Sequence, residues 1–407
     1  MNNIPENWNV YKVSECLEKV VNSVSPEPDK LYREIGIRSH AKGIFHKPLV
    51  TGKSIGNKRV FNVYPNCFVV NIVFAWEQAI AQTSEAEIGM IASHRFPMFK
   101  PKENRCDIDY ITYFFKTLRG KYLLGLASPG GAGRNKTLGK GEFSKLELSL
   151  PPVLEQKKIA KILSAWDRAI EVTEKLLNNR KKQKKSFMQQ LLTSKKRLPG
   201  FSGEWQSTPV KKMGKIVSGG TPDTKVGEYW EGDVLWMTPT DVTALKNRFI
   251  NNTKRKITQS GVKNSSATLM PKGSLLVCTR ATIGLMSIST TDITTNQGFK
   301  NIIPDEIHDV SFLYYLFNFF KNKLIAYACG STFLELSKKD FERLSFVCPN
   351  MEEQKAISSV LSTSDKEIET LQQKLNHLKK EKKVLMQQLL TGKRRVTIDD
   401  EEEVAHA

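Results

Sequence analysis

The stretch "KKQKKSFMQQLLTSKKR", residues 181–197, decides the fold, because it recurs as "KKEKKVLMQQLLTGKRR" at residues 379–395. Moving the sequence along itself by 198 residues aligns residues 143–197 with residues 341–395 without a gap. Outside this shared block the correspondence weakens, although "ENWNVYKV" near the N-terminus resembles "GEWQSTPV" after the first copy. The chain is therefore organised as a variable block, a shared block, a second variable block and a second shared block.

Each shared block carries an apolar stripe with the 4-3 spacing of a helix that packs along another helix. The predicted seam residues are Ile159, Leu163, Trp166, Ile170, Leu177 and Leu191 in the first copy, and Ile357, Leu361, Ile368, Leu371, Leu375, Leu378, Leu385 and Leu389 in the second. Ser364 and Lys382 interrupt the second stripe. Each stripe needs cover, so we expect the two helices to form an antiparallel intramolecular coiled coil with a pseudo-two-fold repeat. A helix from residue 155 to residue 192 is roughly 57 Å long.

The two variable blocks have the patterns of mixed α/β (α+β) domains. Short apolar runs such as "GSLLVCTR" (273–280) and "TIGLMSIST" (282–290) predict strands. An aromatic-rich stretch precedes each shared block, at residues 109–126 and 310–328. Its apolar pattern predicts a core helix rather than a surface on which bases stack.

The charge balance is the outlier of the composition, since 62 basic and 42 acidic residues give a net charge of +20 over 407 residues. This excess favours nucleic acid as a partner, because phosphate contacts release counterions. No run approaches the ~20 apolar residues of a membrane span, and the N-terminus lacks signal-peptide features, so we expect a cytoplasmic protein. The cysteines are scattered and are expected to be reduced and structural: Cys16, Cys67, Cys106, Cys278, Cys329 and Cys348.

The sequence contains no motif that we assign to catalysis. A methyltransferase would need a Gly-rich cofactor loop after a strand and an N-P-P-Y-like tetrad, and we find neither. "TGKS" (51–54) and "PGGAGRNKTLGKG" (129–141) lack the spacing and context of phosphate loops, and we interpret both as flexible basic loops. No metal site is expected, because no histidine has acidic residues at ligand spacing. The alternatives left open are a methyltransferase or nuclease with unrecognised motifs, and a scaffold whose basic helices meet RNA or a membrane.

Loops rich in Arg, Lys, Asn, Gln and Thr are the candidates for DNA contact, because these side chains serve both phosphate contacts and base-edge recognition. The candidates in the first variable block are Arg38, Lys42, Lys53, Lys58, Arg59, Arg95, Lys100, Arg134 and Lys136. Those in the second are Thr221, Thr224, Lys225, Thr240, Arg280, Thr282, Asn296, Gln297 and Lys300. For any one of them, a solvated surface side chain is the simpler interpretation. The lysine runs at 181–185 and 379–383 predict solvated helix faces that also meet DNA phosphates or an acidic partner surface.

Together these features resemble the DNA-specificity subunit of type I restriction-modification systems. The resemblance rests on "EQKKIAKILSAWDRAI" (155–170) and "EQKAISSVLSTSDKEI" (353–368) with their lysine-rich continuations, and on "SGGTPDTKVGEYW", "CTRATIG" and "TTNQGF" in the second variable block. It implies target recognition domains at residues 1–142 and 198–340, conserved helical spacers at 143–197 and 341–395, and a disordered acidic tail at 396–407.

The resemblance further implies a non-catalytic protein of host defence that recognises a bipartite site in double-stranded DNA. Each domain would recognise one half of the site, and the helices would act as a ruler, for which ~57 Å corresponds to about 17 base pairs. Because the first block has no counterpart of "SGGTP", we expect the site to be asymmetric. The implied partners are two modification (methyltransferase) subunits and, through them, the restriction subunits. Those subunits would carry S-adenosylmethionine, ATP and Mg, and no cofactor is expected in this chain.

Overall fold

The computed structural model describes residues 5–131, 136–328 and 334–398. The chain divides into two compact units. The first unit joins Met1–Thr173 to Lys374–Ala407, whereas the second unit is the continuous segment Glu174–Gln373. The two predicted recognition domains fall in different units, and their boundaries stay predictions. Within the described residues, no helix has both the length and the apolar character needed to cross a membrane.

The described residues of the first unit form three β-sheets. Its strands are β1 (Asn9–Lys12), β2 (Leu17–Val20), β3 (Ser23–Val24), β4 (Leu31–Ile37), β5 (Ile44–Thr51), β6 (Val60–Asn62), β7 (Phe68–Val70), β8 (Ile80–Gln82), β9 (Ile91–Ser93), β10 (Met98–Pro101) and β11 (Glu147–Leu150). Its helices are α1 (Val13–Cys16), α2 (Gly52–Ile55), α3 (Ile108–Phe115), α4 (Leu118–Leu126), α5 (Lys140–Lys145) and the first part of α6 (Val153–Leu191), with 3₁₀ turns at Ala75–Glu77 and Glu85–Glu87. The sheet orders are β2-β10-β7-β8, β3-β6-β9-β4-β5 and β1-β11. Within the five-stranded sheet, β4 and β9 are parallel.

In the second unit, the part of the chain that the structure describes also forms three sheets. Its strands are β12 (Gln206–Pro209), β13 (Gly214–Ser218), β14 (Trp230–Met237), β15 (Phe249–Ile250), β16 (Arg255–Ile257), β17 (Leu275–Cys278), β18 (Met286–Ser289), β19 (Thr294–Thr295), β20 (Phe299–Pro304) and β21 (Ser345–Cys348). Its further helices are α7 (Pro239–Ala244), α8 (Gln259–Lys263), α9 (Val310–Phe319), α10 (Lys321–Ala326), α11 (Lys338–Arg343) and the first part of α12 (Met351–Leu389), with 3₁₀ turns at Val210–Lys212 and Gly227–Tyr229. The sheet orders are β13-β20-β17-β18-β15, β16-β14-β19 and β12-β21.

The two-stranded sheets show that the weakly similar segments "ENWNVYKV" and "GEWQSTPV" form equivalent strands in the two units. Strand β1 comes from "ENWNVYKV" and pairs antiparallel with β11, and β12 comes from "GEWQSTPV" and pairs antiparallel with β21. In both units the residue after the first strand donates a backbone hydrogen bond across the pair, from Val13 to Leu146 and from Val210 to Leu344, each at 2.8 Å. In each unit the first strand is therefore hydrogen-bonded to the strand just before a long helix.

A repeated glutamine joins each long helix to the aromatic-rich helix of its unit. The side chain of Gln156 accepts from the backbone N–H of Asp107 at 2.9 Å and donates to the carbonyl of Pro151 at 2.8 Å. The side chain of Gln354 makes the same two bonds, to Asp309 and Pro349, each at 2.9 Å. Because both glutamines are buried, these bonds satisfy backbone groups that water does not reach. The repeated glutamine of "EQK" thus makes the same structural contacts in both units.

The "MQQLLT" copies are core segments. Leu191 and Leu192 lie in the apolar core of the second unit, together with Ile357 and Leu361 of α12. Leu389 and Leu390 lie in the main core of the first unit, together with residues of α6 such as Leu163. The copy in the first shared block therefore completes the core of the second unit. The copy in the second shared block completes the core of the first unit.

Lys382, which interrupts the predicted seam, and its repeat equivalent Lys184 belong to polar clusters between the long helices within each unit. In the first unit, Lys382 donates to Asp167 at 2.5 Å, and the hydroxyl of Tyr113 donates to the same carboxylate at 2.7 Å. In the second unit, Lys184 donates to Asp365 at 2.5 Å, and the hydroxyl of Tyr315 donates to it at 2.6 Å. Burial, with the aspartate beside it, raises the pKa of each tyrosine, so the hydroxyl stays protonated and donates.

An arginine also closes the end of each helix pair. Arg395 donates two hydrogen bonds to Glu155, at 2.7 and 2.8 Å, and Arg197 donates two to Glu353, both at 2.5 Å. Both glutamate side chains are only 1% exposed. A carboxylate buried to this extent requires such a partner, because desolvating an unpaired charge is costly.

The aromatic-rich stretches form core helices as expected, but each is broken in two. In the first unit α3 ends before Thr117, whose hydroxyl accepts from Gly120 N–H at 3.0 Å and begins α4. In the second, α9 ends at Phe319 and α10 begins at Lys321. Tyr110 and Phe317 are fully buried, so these rings are not available for base stacking.

Two further predictions concern loops and cysteines. "TGKS" is not a flexible loop: Gly52–Ile55 forms the helical turn α2, which Thr51 caps, and a Cβ at Gly52 would clash with the carbonyl of Glu27. The other predicted flexible loop, 129–141, is described only in part, because residues 132–135 lie outside the described residues. The cysteines that the structure describes are free and buried, and their reduced state stays a prediction: Cys16, Cys67, Cys106, Cys278 and Cys348. Cys329 and residues 399–407 of the acidic tail lie outside the described residues.

Candidate nucleic-acid interfaces

In the first unit, Arg38 and Lys42 lie at the tip of the β4–β5 hairpin. The tip turns through left-handed backbone at His40, Ala41 and Gly43, with φ values of 60°, 53° and 79°. The guanidinium of Arg38 donates to the carbonyl of Ile44 at 3.0 Å and lies 4.7 Å from the ring centre of Phe45. Both basic side chains are on exposed residues, and that of Arg38 is held in place by these contacts.

A second group of predicted residues meets beside strands β6 and β9. These strands pair, so the turn before β6 lies next to the turn after β9, and His94 N–H donates to the carbonyl of Arg59 at 3.1 Å. The structure thereby brings together Lys58, Arg59 and Arg95, all of which are exposed. Lys53 is exposed on α2, a few residues before Lys58. Concentrated positive charge on adjacent turns suits contacts to successive phosphates.

The remaining predicted residues of the first unit lie elsewhere. Lys100 is on β10, with its ammonium 5.0 Å from the ring centre of Tyr64. Lys136 has its ammonium 5.7 Å from the ring centre of Trp76. Arg134 lies outside the described residues.

In the second unit, Thr221, Asn296 and Gln297 come together. The Thr221 hydroxyl donates to the side-chain carbonyl of Gln297. The preceding glycines allow the approach: Gly220 N–H donates to the carbonyl of Thr295 at 2.9 Å, and a Cβ at Gly219 would clash with the carbonyl of Asn296. The "SGG" of this block is therefore needed for close packing of two loops that carry predicted contact residues.

Arg280 and Lys300 are joined by an acidic residue that the sequence did not single out. Arg280 and Glu335 form an isolated antiparallel β-bridge, and the Glu335 carboxylate lies 3.9 Å from Arg280 Nε and 3.7 Å from Lys300 Nζ. Lys300 is only 9% exposed in its side chain, and burial lowers its pKa, an effect that Glu335 opposes. Lys300 Nζ also lies 3.5 Å from the carbonyl of Gln297, which links this cluster to Thr221.

The other predicted residues of the second unit are dispersed. Thr224 and Lys225 are exposed in a loop that the Trp230 indole N–H fastens by donating to the carbonyl of Asp223 at 3.1 Å. Thr240 is exposed on α7. The Thr282 hydroxyl lies 3.2 Å from the sulfur of Cys278, so it faces the domain rather than solvent.

Arg255 is a second residue that the sequence reasoning missed. Its guanidinium stacks 3.8 Å from the ring centre of Trp230 and 5.2 Å from that of Trp236, and it remains exposed. A guanidinium held against an aromatic ring loses little further conformational freedom when it contacts DNA. The sequence does show two tryptophans on one strand, Trp230 and Trp236 in "WEGDVLWM". Only the pairing of β14 with β16, however, places Arg255 beside them.

The lysine runs are split by the structure. Lys184 and Lys382 are ion-paired with Asp365 and Asp167, so they are not part of a solvated basic face. The other lysines of the two runs are exposed: Lys181, Lys182, Lys185, Lys379, Lys380 and Lys383. Among the described residues, no group of three or more His, Cys, Asp and Glu side chains is placed to hold a metal ion.

The two units thus carry different groups of predicted DNA-contact residues on a repeated set of contacts between helix and strand. A family model described as the type I restriction modification DNA specificity domain matches residues 5–180 and again residues 202–380. The chain therefore belongs to the type I restriction-modification specificity family. It is a specificity subunit, which gives a restriction-modification system of host defence its DNA sequence preference and is not itself an enzyme.

Individual relatives agree with this family. The MjaIX specificity subunit of Methanocaldococcus jannaschii is 39% identical over 171 residues, which are 41% of this chain and 39% of that protein. The putative MjaX specificity subunit of the same organism is 24% identical over 97% of this chain and 95% of its own length.

Solved structures of the same fold are also similar. The S subunit of a type I system from M. genitalium has a TM-score of 0.58 at 14% identity, with 98% of both chains covered. The HsdS subunit of Thermoanaerobacter tengcongensis has a TM-score of 0.52 at 18% identity, covering 96% of this chain and 98% of that one. At these identities the likeness supports the fold alone.

Proposed function

We propose that the two units recognise the two halves of a bipartite, asymmetric site in double-stranded DNA. The observation that carries this proposal is a repeated frame with different recognition surfaces. The Gln156 and Gln354 contacts are equivalent, whereas the surface beside β6 and β9 in the first unit has no equivalent of the Arg280–Glu335–Lys300 cluster. Since direct readout depends on the side chains that reach the bases, different surfaces favour different half-sites.

We further propose that α6 and α12 pair as an antiparallel coiled coil whose length sets the number of unread base pairs. The ion pairs Asp167–Lys382 and Lys184–Asp365 support this, because they join the helices in opposite chain directions at positions related by the 198-residue repeat. Each helix has 39 residues, or roughly 59 Å at 1.5 Å per residue. A rod of this length corresponds to about 17 base pairs of duplex.

The partners follow from the same proposal. Two modification subunits would bind this chain and methylate adenines with S-adenosylmethionine, and restriction subunits would join through them with ATP and Mg. We propose the cytoplasm as the place of action, where the cell's DNA lies. A stand-alone methyltransferase or nuclease is disfavoured, and methyl transfer from S-adenosylmethionine to DNA by the purified chain without partners would contradict the specificity-subunit proposal.

Exchange of one variable block tests the division of labour. Residues 1–140 are replaced by the equivalent block of a related chain, and the methylated sites in cells are mapped for both versions. We expect one half-site to change and the other half-site to stay the same. A change in both half-sites would contradict the proposal that each unit recognises one half independently.

Deletion of one heptad from each long helix tests the ruler. Removing residues 171–177 together with residues 372–378 preserves both Asp–Lys pairs and shortens the helices by roughly 10 Å. We expect the unread spacer to shorten by about three base pairs, with both half-sites unchanged. The measurement is selection from duplexes in which the spacer length varies, and an unchanged spacer would contradict the ruler. A single exposed substitution in α12, Val384→Ala, serves as the control that leaves the length intact.

A further inference from the structure

An acidic residue lies among the predicted DNA-contact residues of the second unit, where phosphates would repel it. Glu335 is fixed there by its β-bridge to Arg280, and the next residue, Leu336, donates its N–H to the carbonyl of Thr279 at 2.9 Å. Lys300 joins Glu335 to Gln297, and Gln297 accepts from Thr221. Glu335 therefore belongs to the same continuous surface as the residues predicted to contact bases.

The exposures of the three charged groups show which of them faces outward. The side chain of Lys300 is 9% exposed, whereas those of Glu335 and Arg280 are 41% and 44% exposed. Lys300 thus lies beneath the carboxylate and supports it from inside the domain. A glutamate whose role was limited to neutralising a buried lysine would not need so much of its own surface in solvent.

The separations leave the carboxylate able to accept further hydrogen bonds. Its oxygens lie 3.7 Å from Lys300 Nζ and 3.9 Å from Arg280 Nε, which is longer than a hydrogen bond, so the cations attract it without occupying its lone pairs. An ionised carboxylate accepts at about four positions and donates at none. Among the base edges of the major groove, only amino groups can supply it with hydrogen: N4 of cytosine and N6 of adenine.

We propose that Glu335 determines sequence specificity in the second unit by accepting a hydrogen bond from the amino group of a cytosine, because the N7 acceptor of adenine lies beside its amino group and repels a carboxylate. Arg280 and Lys300 hold the carboxylate against the repulsion of the phosphates. This proposal rests on the proposed function and adds the chemical identity of one base contact to it. Guanine and thymine present only acceptors and a methyl group at that place in the groove, and the carboxylate rejects them.

The test uses the full chain with its two modification subunits and a library of random duplexes. Glu335→Gln keeps the size of the side chain, removes its charge and adds an amide donor. We expect this variant to lose roughly 5- to 150-fold of its preference for cytosine at one position of one half-site and to shift toward adenine, whose N7 and amino group pair with glutamine. The other half-site stays as in the wild type. Glu335→Asp keeps the charge but withdraws the carboxylate by about one bond length, and the same position should lose selectivity without a change in salt dependence.

Glu342→Gln is the matched control. Glu342 lies on α11, 3.7 Å from Lys338, and its side chain is 32% exposed, so its substitution removes an equivalent charge from an equivalent ion pair. We expect it to leave both half-sites unchanged. If Glu335→Gln selects the same bases as the wild type and only raises affinity uniformly, as Glu342→Gln would, Glu335 is a counter-ion and the proposal is overturned. A wild-type complex that selects no site would instead overturn the proposed function, and this proposal with it.

Discussion

Leu389 allows a direct test of the division of the chain into units. It belongs to the second "MQQLLT" copy, is 1% exposed, and packs in the core of the first unit, although the second variable block precedes it in the sequence. Leu389→Ala removes three carbon groups, worth about 2.4 kcal/mol of transfer free energy, and the cavity raises the cost to about 3 kcal/mol. For a unit of about 200 residues, this lowers the melting temperature by roughly 6–12 °C.

The assay combines calorimetry with hydrogen exchange measured by mass spectrometry. We expect Leu389→Ala to accelerate exchange in the first unit, for example in β7 and α3, and to leave β17 and β20 of the second unit protected. Leu191→Ala, in the first "MQQLLT" copy, should give the opposite pattern because Leu191 packs in the second unit's core.

The control substitution is Val384→Ala on the same part of α12, where the side chain is 48% exposed and the expected change is within about 0.5 kcal/mol. If Leu389→Ala accelerated exchange mainly in β17 and β20, or equally in both units, the assignment of the C-terminal helix end to the first unit would be refuted.

Three further predictions concern charged residues. Arg395→Ala leaves the buried carboxylate of Glu155 without its two hydrogen bonds, and since the arginine side chain is 40% exposed, we expect a loss of about 1–3 kcal/mol in urea unfolding. Burial lowers the pKa of Lys116, so the unfolded chain binds the proton more tightly than the folded chain does. The stability of the wild type therefore rises with pH toward 10.5. We expect Lys116→Met to be more stable than the wild type at pH 7, with a smaller difference at pH 10. Lys58→Gln combined with Arg59→Gln should weaken binding to all duplexes alike and reduce the salt slope of log K by about 1.8.

Each of these has a control or a contrary outcome. For Arg395, unchanged unfolding free energy would show that Glu155 finds another partner. For Lys116, a stability gain that grew with pH would contradict the sign derived from its lowered pKa. The control for the double variant is Lys145→Gln, which removes an exposed lysine that pairs with Glu142 and should leave the salt slope of log K unchanged. If the double variant changed the base preference instead of weakening binding to all duplexes, a phosphate role for Lys58 and Arg59 would be contradicted.

The long helices were predictable from the sequence because they depend on local periodicity. The predicted start and end at residues 155 and 192 lie within two residues of the observed bounds of α6. Residues related by the 198-residue repeat have equivalent contacts in the structure, as Gln156 and Gln354 do. Such local patterns are found again in the structure because the same framework contacts recur in both units.

The contacts that make the recognition surfaces were not predictable, because they join distant parts of the chain. Glu335 meets Arg280 across 55 residues, and Arg59 meets His94 across 35 residues, and neither pairing leaves a periodic signal. Lys382 looked like a defect in an apolar stripe because its partner, Asp167, is 215 residues away. The boundary between the units could not be predicted either, since it falls inside two uninterrupted helices.

The discontinuous make-up of the first unit has a consequence for biosynthesis. The ribosome releases Met1–Thr173 first, but the helix end that carries Leu389 and Leu390 follows only after the whole second unit, Glu174–Gln373. At 5–20 residues per second, the first unit waits roughly 10–40 s with part of its apolar core uncovered, while the continuous second unit can already fold. A chain that terminates early therefore never completes its N-terminal half, so only full-length protein acquires both folded units.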